Sequence, residues 1–393
     1  MLIQVFNAGS SSIKFALYQH QSKLELLKGN LEKIGEASSI LSFQTSSSPS
    51  QKIELSDGCQ NHKEGIQKIL QIFDQEKNNP GSADLIVHRV VHGGTKYRHA
   101  ALLDQEVKQF IRDMIPLART HHPASLACIE EISEHFPEIP QSVVFDTSFH
   151  QTLPEYAWRY ALPRKISDQY AIRRYGFHGI SHQSVVKQAA SFLKTPVNKL
   201  NLITIHLGNG ASISAIKKGI CVDTTMGMTP LEGLVMGTRP GDLDPGILTL
   251  LAREGWNQEA LETMLNQDSG MKGLCGTNDF REILQNKEEG NGEAEIALEL
   301  YCYRVRKTIG SYGTVIGPVD ALVFTGGVGE NVSWVRERSV RGMEWMNIQL
   351  DPDMNDHAEA PCAIHSKDSQ TKILVLPSEE EWEMASQAAE LIL

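Results

Sequence analysis

The sequence predicts an α/β protein built from two related halves. Its 393 residues correspond to two or three domains at roughly 150 residues per domain. Apolar residues make up 41% of the chain and charged residues 22%, which is ordinary globular usage and argues against a disordered or disulfide-stapled chain. Short apolar strand patterns alternate with helical patterns along the whole length, which is typical of α/β proteins.

The first half opens with a predicted strand hairpin. Residues 2–6 have the apolar density of a buried strand, a cluster of turn formers follows at 7–12, and residues 13–18 alternate as a second strand. The same order returns 200 residues later, with strands at 202–206 and 213–216 around another loop of small residues. Identical residues recur at this offset: Leu2 and Leu202, Ile3 and Ile203, Ser12 and Ser212, Ile13 and Ile213. We therefore expect two related halves, each opening with such a hairpin.

Further strands are predicted where apolar runs end in short polar or glycine-rich turns. They lie at 84–91, 143–145, 321–324 and 372–376. Residues 247–253 are predicted to be helical, because Asp244 can cap the helix and Pro245 suits its first turn. The run 378–381, Ser-Glu-Glu-Glu, predicts a capping box that opens a C-terminal helix. The polar residues 45–50 predict a surface turn between strands.

The composition and the terminal sequence argue against several classes of function. With 37 basic against 48 acidic residues the formal net charge is −11, so we expect no broad cationic surface for nucleic acid or anionic lipid. No apolar run is long enough for a transmembrane helix, and the first eight residues lack the basic region of a signal peptide. The six cysteines show no CxxC spacing, which predicts neither a zinc cage nor a disulfide framework. We expect a cytoplasmic protein without a nucleic-acid or membrane partner.

Three small-residue turns, each directly after a predicted strand, are candidate phosphate loops. The first, at 7–14, brings serine hydroxyls, backbone amides and one lysine onto a tight turn that can surround a phosphate, although an ordinary serine-rich hairpin turn is the alternative. The others lie at 206–212 and 326–331. Neither is a GxGxxG fingerprint, since Ile213 and Val332 stand where the last glycine is required, and the chain contains no GxxxxGK[ST]. A bound nucleotide would therefore be held by another architecture.

Five charged or imidazole side chains are further candidates for a site. Arg239 lies in a loop that is rich in turn formers and charges, whereas Arg89 follows an apolar strand. A strand-end arginine is more often a structural ion-pair partner than a ligand contact, and similar caution applies to Asp146, His121 and His178. His178 stands between an aromatic residue and a glycine, which suits a donor presented at a cleft better than a core histidine. With 14 histidines in the chain, composition alone does not choose among them.

Taken together, these motifs resemble the acetate kinase family, within the wider superfamily of sugar kinases, heat-shock chaperones and actin. The resemblance covers nearly the whole chain, and its most specific parts are residues 7–14 and 202–219. Other matching segments, in the family's order, are 87–94, 145–151, 174–182 and 237–239. The resemblance implies two actin-like (ribonuclease H-like) α/β domains with a cleft between them. They would comprise residues 1–150 plus 381–393, and residues 151–380, the second with the nucleotide site and a homodimer interface.

The reaction that this resemblance implies is the reversible transfer of the γ-phosphoryl group of ATP to acetate. The products would be acetyl phosphate and ADP, with Mg²⁺ as the metal ion or Mn²⁺ in its place. A carboxylate is already ionised at pH 7, so the acceptor needs no general base. Catalysis would then depend on positioning and on neutralising the charge of the transferring phosphoryl group.

The resemblance also implies roles for individual residues. Arg89 and Arg239 would bridge the carboxylate and the phosphoryl oxygens. His178 would donate to an equatorial phosphoryl oxygen, and His121 would assist it from the other side. Asp146 would organise the metal ion and the arginines. The implied metal ligands are Asn7 and Glu380. The implied acyl pocket consists of Val91, Thr120, Phe177 and Pro230, next to Arg89. The implied ATP contacts are Ser10, Ser12, Lys14, His206, Leu207, Gly208, Asn209, Gly210, Asp279, Phe280, Arg281, Gly327, Val328, Gly329, Glu330 and Asn331.

Three departures from the family pattern and three alternatives qualify this interpretation. Thr120 stands where the family usually has leucine, Glu379 where it usually has asparagine, and Pro240 where it usually has serine. One methylene in such a pocket is worth about 1 to 3 kcal/mol, so a propionate or butyrate kinase of the same family is the nearest alternative. A hydroxyl kinase of this fold is less expected, because Asn7 is neutral where those enzymes have aspartate. An ATP switch of the heat-shock or actin type would need a partner-binding domain, for which we expect no residues to remain.

Overall fold

The computed structural model describes residues 1–46, 48–75, 83–119 and 121–393. These residues form two compact units. Unit 1 comprises Met1–Phe149 together with Glu379–Leu393, and unit 2 comprises His150–Ser378. Thr120, one of the residues assigned to the acyl pocket, lies outside the described residues, as does position 47 in the predicted surface turn.

The strands of both units follow one another along the chain from β1 to β14. They are β1 (Leu2–Ala8), β2 (Ser12–Gln19), β3 (Leu24–Glu32), β4 (Ser39–Thr45), β5 (Ser48–Leu55), β6 (Leu85–Val90), β7 (Ala101–Leu102), β8 (Gln141–Phe145), β9 (Leu202–Leu207), β10 (Ala211–Lys217), β11 (Ile220–Thr224), β12 (Ala321–Thr325), β13 (Cys362–Ala363) and β14 (Lys372–Val375). The strands predicted from apolar runs are all present among them.

The α-helices are numbered in the same way. They are α1 (His62–Gln75), α2 (Gln105–Asp113), α3 (His122–His135), α4 (Glu155–Trp158), α5 (Arg164–Gln169), α6 (Gly179–Phe192), α7 (Pro245–Arg253), α8 (Gln258–Gln267), α9 (Gly270–Cys275), α10 (Phe280–Glu288), α11 (Gly292–Ile316), α12 (Gly326–Asn331), α13 (Ser333–Val340), α14 (Pro352–Asp356) and α15 (Glu380–Ala389).

The two sheets repeat one strand order. In the described residues, unit 1 has the order β5-β4-β3-β2-β1-β6-β8-β7 and unit 2 the order β11-β10-β9-β12-β14-β13. In each unit an antiparallel meander of three strands is followed by two strands parallel to its first strand and by an antiparallel edge strand. Unit 1 extends this pattern with β4 and β5. The predicted relation between the two halves is therefore visible in the topology.

The capping residues predicted from the sequence are correct for α7 and wrong for α15. Asp244 caps α7, with its side chain accepting a hydrogen bond from the amide of Gly246 at 2.8 Å, as predicted. The predicted capping box at α15 is wrong. Glu379 precedes the helix in a left-handed conformation (φ 38°, ψ 41°), and no side chain caps this end. Glu381, at the second position of the helix, instead accepts a hydrogen bond from Asn7 of β1.

The layers of unit 1 place alternate residues of β1 in different surroundings. Phe6 belongs to a core cluster with residues of α1 and α3, such as Ile66 and Ile132. The next residue, Asn7, points to the opposite face, where α15 lies against β1 and β6. In unit 2, α6 lies in the same way against β9 and β12. The polar residues at the ends of these central strands are thus directed toward α15 in unit 1 and α6 in unit 2.

Candidate active site

The site residues of unit 1 surround Arg89, near the end of β6. Its Nε and Nη2 atoms donate to the two carboxylate oxygens of Asp146 at 2.9 and 2.6 Å, and Nη1 donates to Asn7 Oδ1 at 2.9 Å. Burial alone would lower the pKa of Arg89, but the attraction of Asp146 outweighs it and the pKa lies above its usual value. Asp146 is itself buried. The bidentate pair therefore holds the guanidinium group in one orientation.

Two glutamates at the start of α15 complete this charged cluster. Glu380 and Glu381 are both buried, and Asn7 Nδ2 donates to Glu381 Oε1 at 3.3 Å. Burial raises the pKa of Glu380, while Arg89 and Lys14 act in the opposite direction. Sequence reasoning named Glu380 and missed Glu381, although the run of three glutamates was the available signal. The cluster has an excess of carboxylates over cations.

The first predicted phosphate loop joins β1 and β2 in unit 1. The turn is closed by a hydrogen bond from the amide of Gly9 to the carbonyl oxygen of Ser12 at 2.8 Å. The carbonyl oxygen of Gly9 lies 2.8 Å from His62 Nε2, which must therefore carry a proton. Sequence reasoning missed His62. Ser10 and Lys14 are exposed, so both can reach a ligand.

Two further predicted site residues of unit 1, Val91 and His121, lie next to the ends of other elements. Val91 directly follows β6 and is buried, as an apolar pocket wall requires. His121 immediately precedes α3 and is partly buried, without capping that helix through its side chain.

The site residues of unit 2 include a very different arginine. Arg239 Nη1 donates to the carbonyl oxygen of Pro230 at 2.8 Å, and no carboxylate in the described residues forms an ion pair with Arg239. Burial lowers the pKa of Arg239 to about 10. A Cβ atom at Gly210 would lie 2.9 Å from Arg239 Nη2 and 3.1 Å from His178 Nε2. The glycine thus allows the guanidinium and imidazole groups to approach the same part of the loop.

His178 is held by both its backbone and its ring. It lies in the left-handed region (φ 57°, ψ 23°) immediately before α6. This conformation is energetically unfavourable for residues other than glycine, and it recurs at functional sites. His178 Nδ1 lies 3.0 Å from Ser212 Oγ, and its ring stacks on His206 with centroids 4.4 Å apart. His206 Nδ1 in turn lies 2.8 Å from Ser181 Oγ. The neighbouring Phe177 is fully buried.

The glycine turn that follows β9 is hydrogen-bonded to other loops of unit 2 and lies close to the glycine turn that follows β12. Asn209 accepts a hydrogen bond at its carbonyl oxygen from the amide of Gly237 at 2.9 Å, and at Oδ1 from Asn278 Nδ2 at 2.8 Å. Gly208 donates from its amide to the carbonyl oxygen of Gly210. At position 326, in contrast, a Cβ atom would lie 2.7 Å from the carbonyl oxygen of Leu207, and φ is +79°, so only glycine fits.

The residues expected to contact adenosine differ in exposure. Asp279 caps α10 and pairs with Arg281 at 2.6 Å, and the hydrogen bonds from Arg281 lower the pKa of Asp279 to about 2. Phe280 between them is buried, and its ring packs edge-on against Tyr301. The Phe280 side chain therefore belongs to the core of unit 2, whereas Arg281 is exposed and Asp279 is partly exposed.

The turn 326–331 is the short helix α12. Glu330 Oε1 accepts a hydrogen bond from the amide of Gly326 at 2.9 Å, and Asn331 Nδ2 donates to the carbonyl oxygen of Gly327 at 2.9 Å. Val328 and Gly329 are buried. The side chains of this helix thus mainly stabilise its own backbone.

Arg174 is a further residue that sequence reasoning left without a role, although it lies in a segment resembling the family. Its Nη1 donates to the carbonyl oxygens of Thr224 and Thr225 at 2.9 and 2.8 Å, and its Nη2 to Glu232 Oε1 at 2.5 Å. Glu232 stands two residues after Pro230. Arg174 therefore connects the end of β11 to the loop that contains Pro230. The carbonyl oxygen of Pro230 in turn accepts the hydrogen bond from Arg239.

Comparisons with known proteins first place the fold. The crystal structure of Porphyromonas gingivalis acetate kinase matches with a TM-score of 0.91 and 38% identity, and that of a propionate kinase from Francisella tularensis with a TM-score of 0.92 and 38% identity. In both cases all of each chain is covered. The protein thus has the two-domain actin-like α/β fold of these kinases, as predicted.

The family follows from the sequence comparisons. The family model described as the Acetokinase family matches residues 2–386. Acetate kinase from Sulfurovum sp. is 44% identical over 100% of this chain and 99% of its own length. The chain belongs to the acetokinase family, which confirms the resemblance. In the part of the chain that the structure describes, no helix is both long and apolar enough to cross a membrane.

Proposed function

We propose that the protein catalyses the reversible, direct in-line transfer of the γ-phosphoryl group of ATP to acetate, giving acetyl phosphate and ADP. The observation that carries this proposal is Arg239, a partly buried guanidinium group beside His178 that forms no ion pair with a carboxylate among the described residues. Such a group is available for an anionic ligand, and both substrates of this reaction are anions. Membership of the acetokinase family supports the same conclusion.

The two arginines would divide the work. Arg89, fixed by Asp146, would bind one set of anionic oxygens in a preset orientation, and Arg239 would neutralise the charge that develops on the transferring phosphoryl group. His178 and His121 would donate further hydrogen bonds to that group. Because acetate is already ionised at neutral pH, none of these residues would need to remove a proton from it.

ATP would be bound mainly by unit 2. The backbone of the turn 206–210 and the N-terminal part of α12 present small residues at strand ends, which allows phosphate oxygens to approach the backbone closely. Arg281 is exposed and Asp279 is partly exposed, and both would contact the adenosine, with Phe280 supporting them from the core. Ser10, Ser12 and Lys14 of unit 1 would contact the transferred phosphate.

The donor set of unit 1 fits a Mg²⁺ ion. Oxygen atoms of Asn7, Glu380 and Glu381 are hard ligands, and the cluster has more carboxylates than cations. Within the described residues no group of three or more His, Cys, Asp or Glu side chains could hold a metal ion by itself. Mg²⁺ commonly keeps several waters and shares substrate phosphates, so Asn7 and the glutamates would hold it largely through water. When bound, the ion would neutralise phosphate charge; Mn²⁺ has the same ligand preference.

Acetate is the proposed acid, and propionate is the second candidate. Val91 and Phe177 are buried and Pro230 is partly buried, as suits walls of a small apolar pocket. The similarity to the Francisella propionate kinase favours keeping propionate as an alternative.

The proposal is tested by measuring acyl phosphate as its hydroxamate, with ATP, Mg²⁺ and subsaturating acetate, propionate or butyrate in parallel. We expect the highest kcat/KM with acetate. A higher value with propionate or butyrate would keep the mechanism and change the substrate. An absence of product with every acid would refute the kinase proposal.

We also propose that the protein is a cytoplasmic homodimer joined through unit 2. Large apolar side chains of α7 and α11, namely Ile247, Leu250, Ile296 and Tyr303, are exposed in the single chain. Light scattering coupled to size exclusion should give twice the chain mass of 43.6 kDa. A mass of one chain at micromolar concentration would refute the dimer.

A further inference from the structure

We propose that a hydrogen-bond chain from Thr204 through His182 and Ser212 determines which ring nitrogen of His178 carries the proton. Thr204 Oγ1 lies 2.8 Å from His182 Nδ1, and His182 Nε2 lies 2.8 Å from Ser212 Oγ. The same Ser212 oxygen lies 3.0 Å from His178 Nδ1. Thr204, His182 and Ser212 are fully buried, whereas His178 is only partly buried. The chain thus leads from the core of unit 2 to the site.

The direction of this chain follows from its buried end. The other hydrogen-bond partner of the Thr204 hydroxyl, at the longer distance of 3.5 Å, is the carbonyl oxygen of Ser214, which can only accept. The Thr204 proton is therefore directed to that carbonyl group, and Thr204 Oγ1 accepts from His182 Nδ1. Burial lowers the pKa of His182 well below its usual value, so this ring is neutral and its Nε2 is an acceptor.

The remaining two bonds are then determined. Because His182 Nε2 accepts, Ser212 must donate its hydroxyl proton to it. Ser212 Oγ is left as the acceptor for His178 Nδ1–H. Neutral His178 is consequently protonated at Nδ1, and its Nε2, the atom near Arg239, has a lone pair.

This assignment deepens the proposed function and rests on it for its catalytic meaning. A neutral His178 of this tautomer cannot donate a hydrogen bond from Nε2 to a phosphoryl oxygen. The ring can do so only as the imidazolium ion, which brings a positive charge as well as a donor to the phosphoryl group. Ser212 and His182 are therefore positioning residues, because they act on the reaction through His178.

The first test reads the proton position directly and needs no activity. In the full chain labelled with ¹⁵N-histidine, at a pH where His178 is neutral, we expect its Nδ1 to show a pyrrole-type shift and its Nε2 a pyridine-type shift. The His178 signals are assigned by their loss in His178→Gln. A pyridine-type Nδ1 in the unmodified protein would overturn the inference, whatever the enzyme assays show.

Substitutions at the far end of the chain make the test sharper, because Thr204 hydrogen-bonds His182 and has no hydrogen bond to His178. In Thr204→Val, His182 loses its acceptor and should carry its proton on Nε2. Ser212 then donates to His178, whose proton moves to Nε2. Thr204→Ser retains the hydroxyl group and should keep the original tautomer. An unchanged His178 spectrum in folded Thr204→Val would overturn the inference.

Ser212→Ala and Ser214→Ala form a matched pair for kinetics. Both serines are fully buried on β10, but Ser214 Oγ bonds to Thr224 Oγ1 instead of to a histidine. We expect Ser212→Ala to lower kcat on the order of tenfold, with the KM values for ATP and acetate within about twofold, and Ser214→Ala to leave kcat unchanged. Equal losses in both variants would contradict a positioning role for Ser212. If the unmodified protein forms no acyl phosphate, the proposed function fails while the ¹⁵N result still decides the tautomer.

Discussion

Arg89 in unit 1 and Arg239 in unit 2 differ in the groups that compensate their positive charge. Arg89 in unit 1 is clamped by Asp146 in a bidentate pair, and its pKa lies above the usual value. The guanidinium group of Arg239 in unit 2 has, within the described part of the chain, only the carbonyl oxygen of Pro230 as hydrogen-bond partner, and burial lowers the pKa of Arg239 to about 10. The protein itself compensates the first charge and leaves the second to a ligand. Arg89 should therefore matter for folding and function, and Arg239 for function alone.

The largest expected effect is on stability, in Arg89→Ala. Removing this guanidinium group leaves Asp146 buried next to Glu380 and Glu381 without its counter-ion, which should lower the free energy of unfolding by about 3 kcal/mol. Arg239→Ala should change it by less than about 1 kcal/mol, because no carboxylate loses a partner. Urea unfolding of both variants measures the contrast. Equal destabilisation would mean that the difference between the arginines has no energetic consequence.

The next effect is on catalysis, in Arg239→Ala. Loss of a charge partner of the transition state should lower kcat on the order of a hundredfold or more, with little change in ATP affinity. Arg239→Lys retains a positive charge but not the planar fork, so it should recover only part of the activity. Steady-state kinetics with acetate and ATP measures both variants. Near-normal turnover of Arg239→Ala would remove Arg239 from the mechanism.

The third prediction concerns Glu380, the buried glutamate at the start of α15 that interacts electrostatically with Arg89. The pKa of Glu380 is raised by burial above its usual value of 4.5, so the folded state holds this proton more tightly than the unfolded state. The free energy of unfolding should then fall as pH rises from about 4.5 through the folded pKa. Glu380→Gln carries no such proton, so its stability relative to the unmodified protein should increase with pH over that window.

The measurement is urea unfolding of both proteins at several values between about pH 4 and pH 8. Glu380→Gln should approach the unmodified protein at the acid end and exceed it at the neutral end. A stability difference that does not vary with pH would show that the Glu380 carboxyl group titrates normally in the folded protein.

The same contrast shows what the sequence could and could not predict. Asn7, Arg89 and Asp146 lie at strand ends, and strand patterns are local, so their approximate position in the sheet followed from the sequence. The missed contacts join distant segments: Glu381 meets Asn7 across 374 positions, and His62 meets the carbonyl oxygen of Gly9 across 53. Such contacts depend on helix packing, which no local pattern encodes.

The predicted capping box failed for a related reason. Ser378 and the glutamates after it have the right spacing, but the helix they open must place Glu380 and Glu381 against the charged cluster of unit 1. Tertiary contacts therefore overrode the local signal. The sequence also could not predict that Arg239 forms no ion pair with a carboxylate among the described residues. A sequence motif records which residues are present, whereas the absence of an ion pair depends on how the chain folds around Arg239.

The smallest predicted effect compares the residues that precede α6 and α15. Both His178 and Glu379 are left-handed, with φ of 57° and 38°. At His178 the strained residue is itself a proposed catalytic group. Glu379 lies next to the carboxylates, and no side-chain hydrogen bond caps the helix there. Asparagine tolerates this conformation better than glutamate, so Glu379→Asn should raise the free energy of unfolding by about 0.5 to 1 kcal/mol without changing kcat.

Glu379→Ala is the matched control, since alanine loses the charge but keeps the unfavourable Cβ contacts of the left-handed region. If backbone strain is the cause, asparagine should stabilise the protein and alanine should not. If both variants gain equally in urea unfolding, the gain comes from relieving repulsion with Glu380 and Glu381. In that case the left-handed conformation of Glu379 lowers the free energy of unfolding very little. Of the two residues compared, only His178, before α6, would then have a strained backbone.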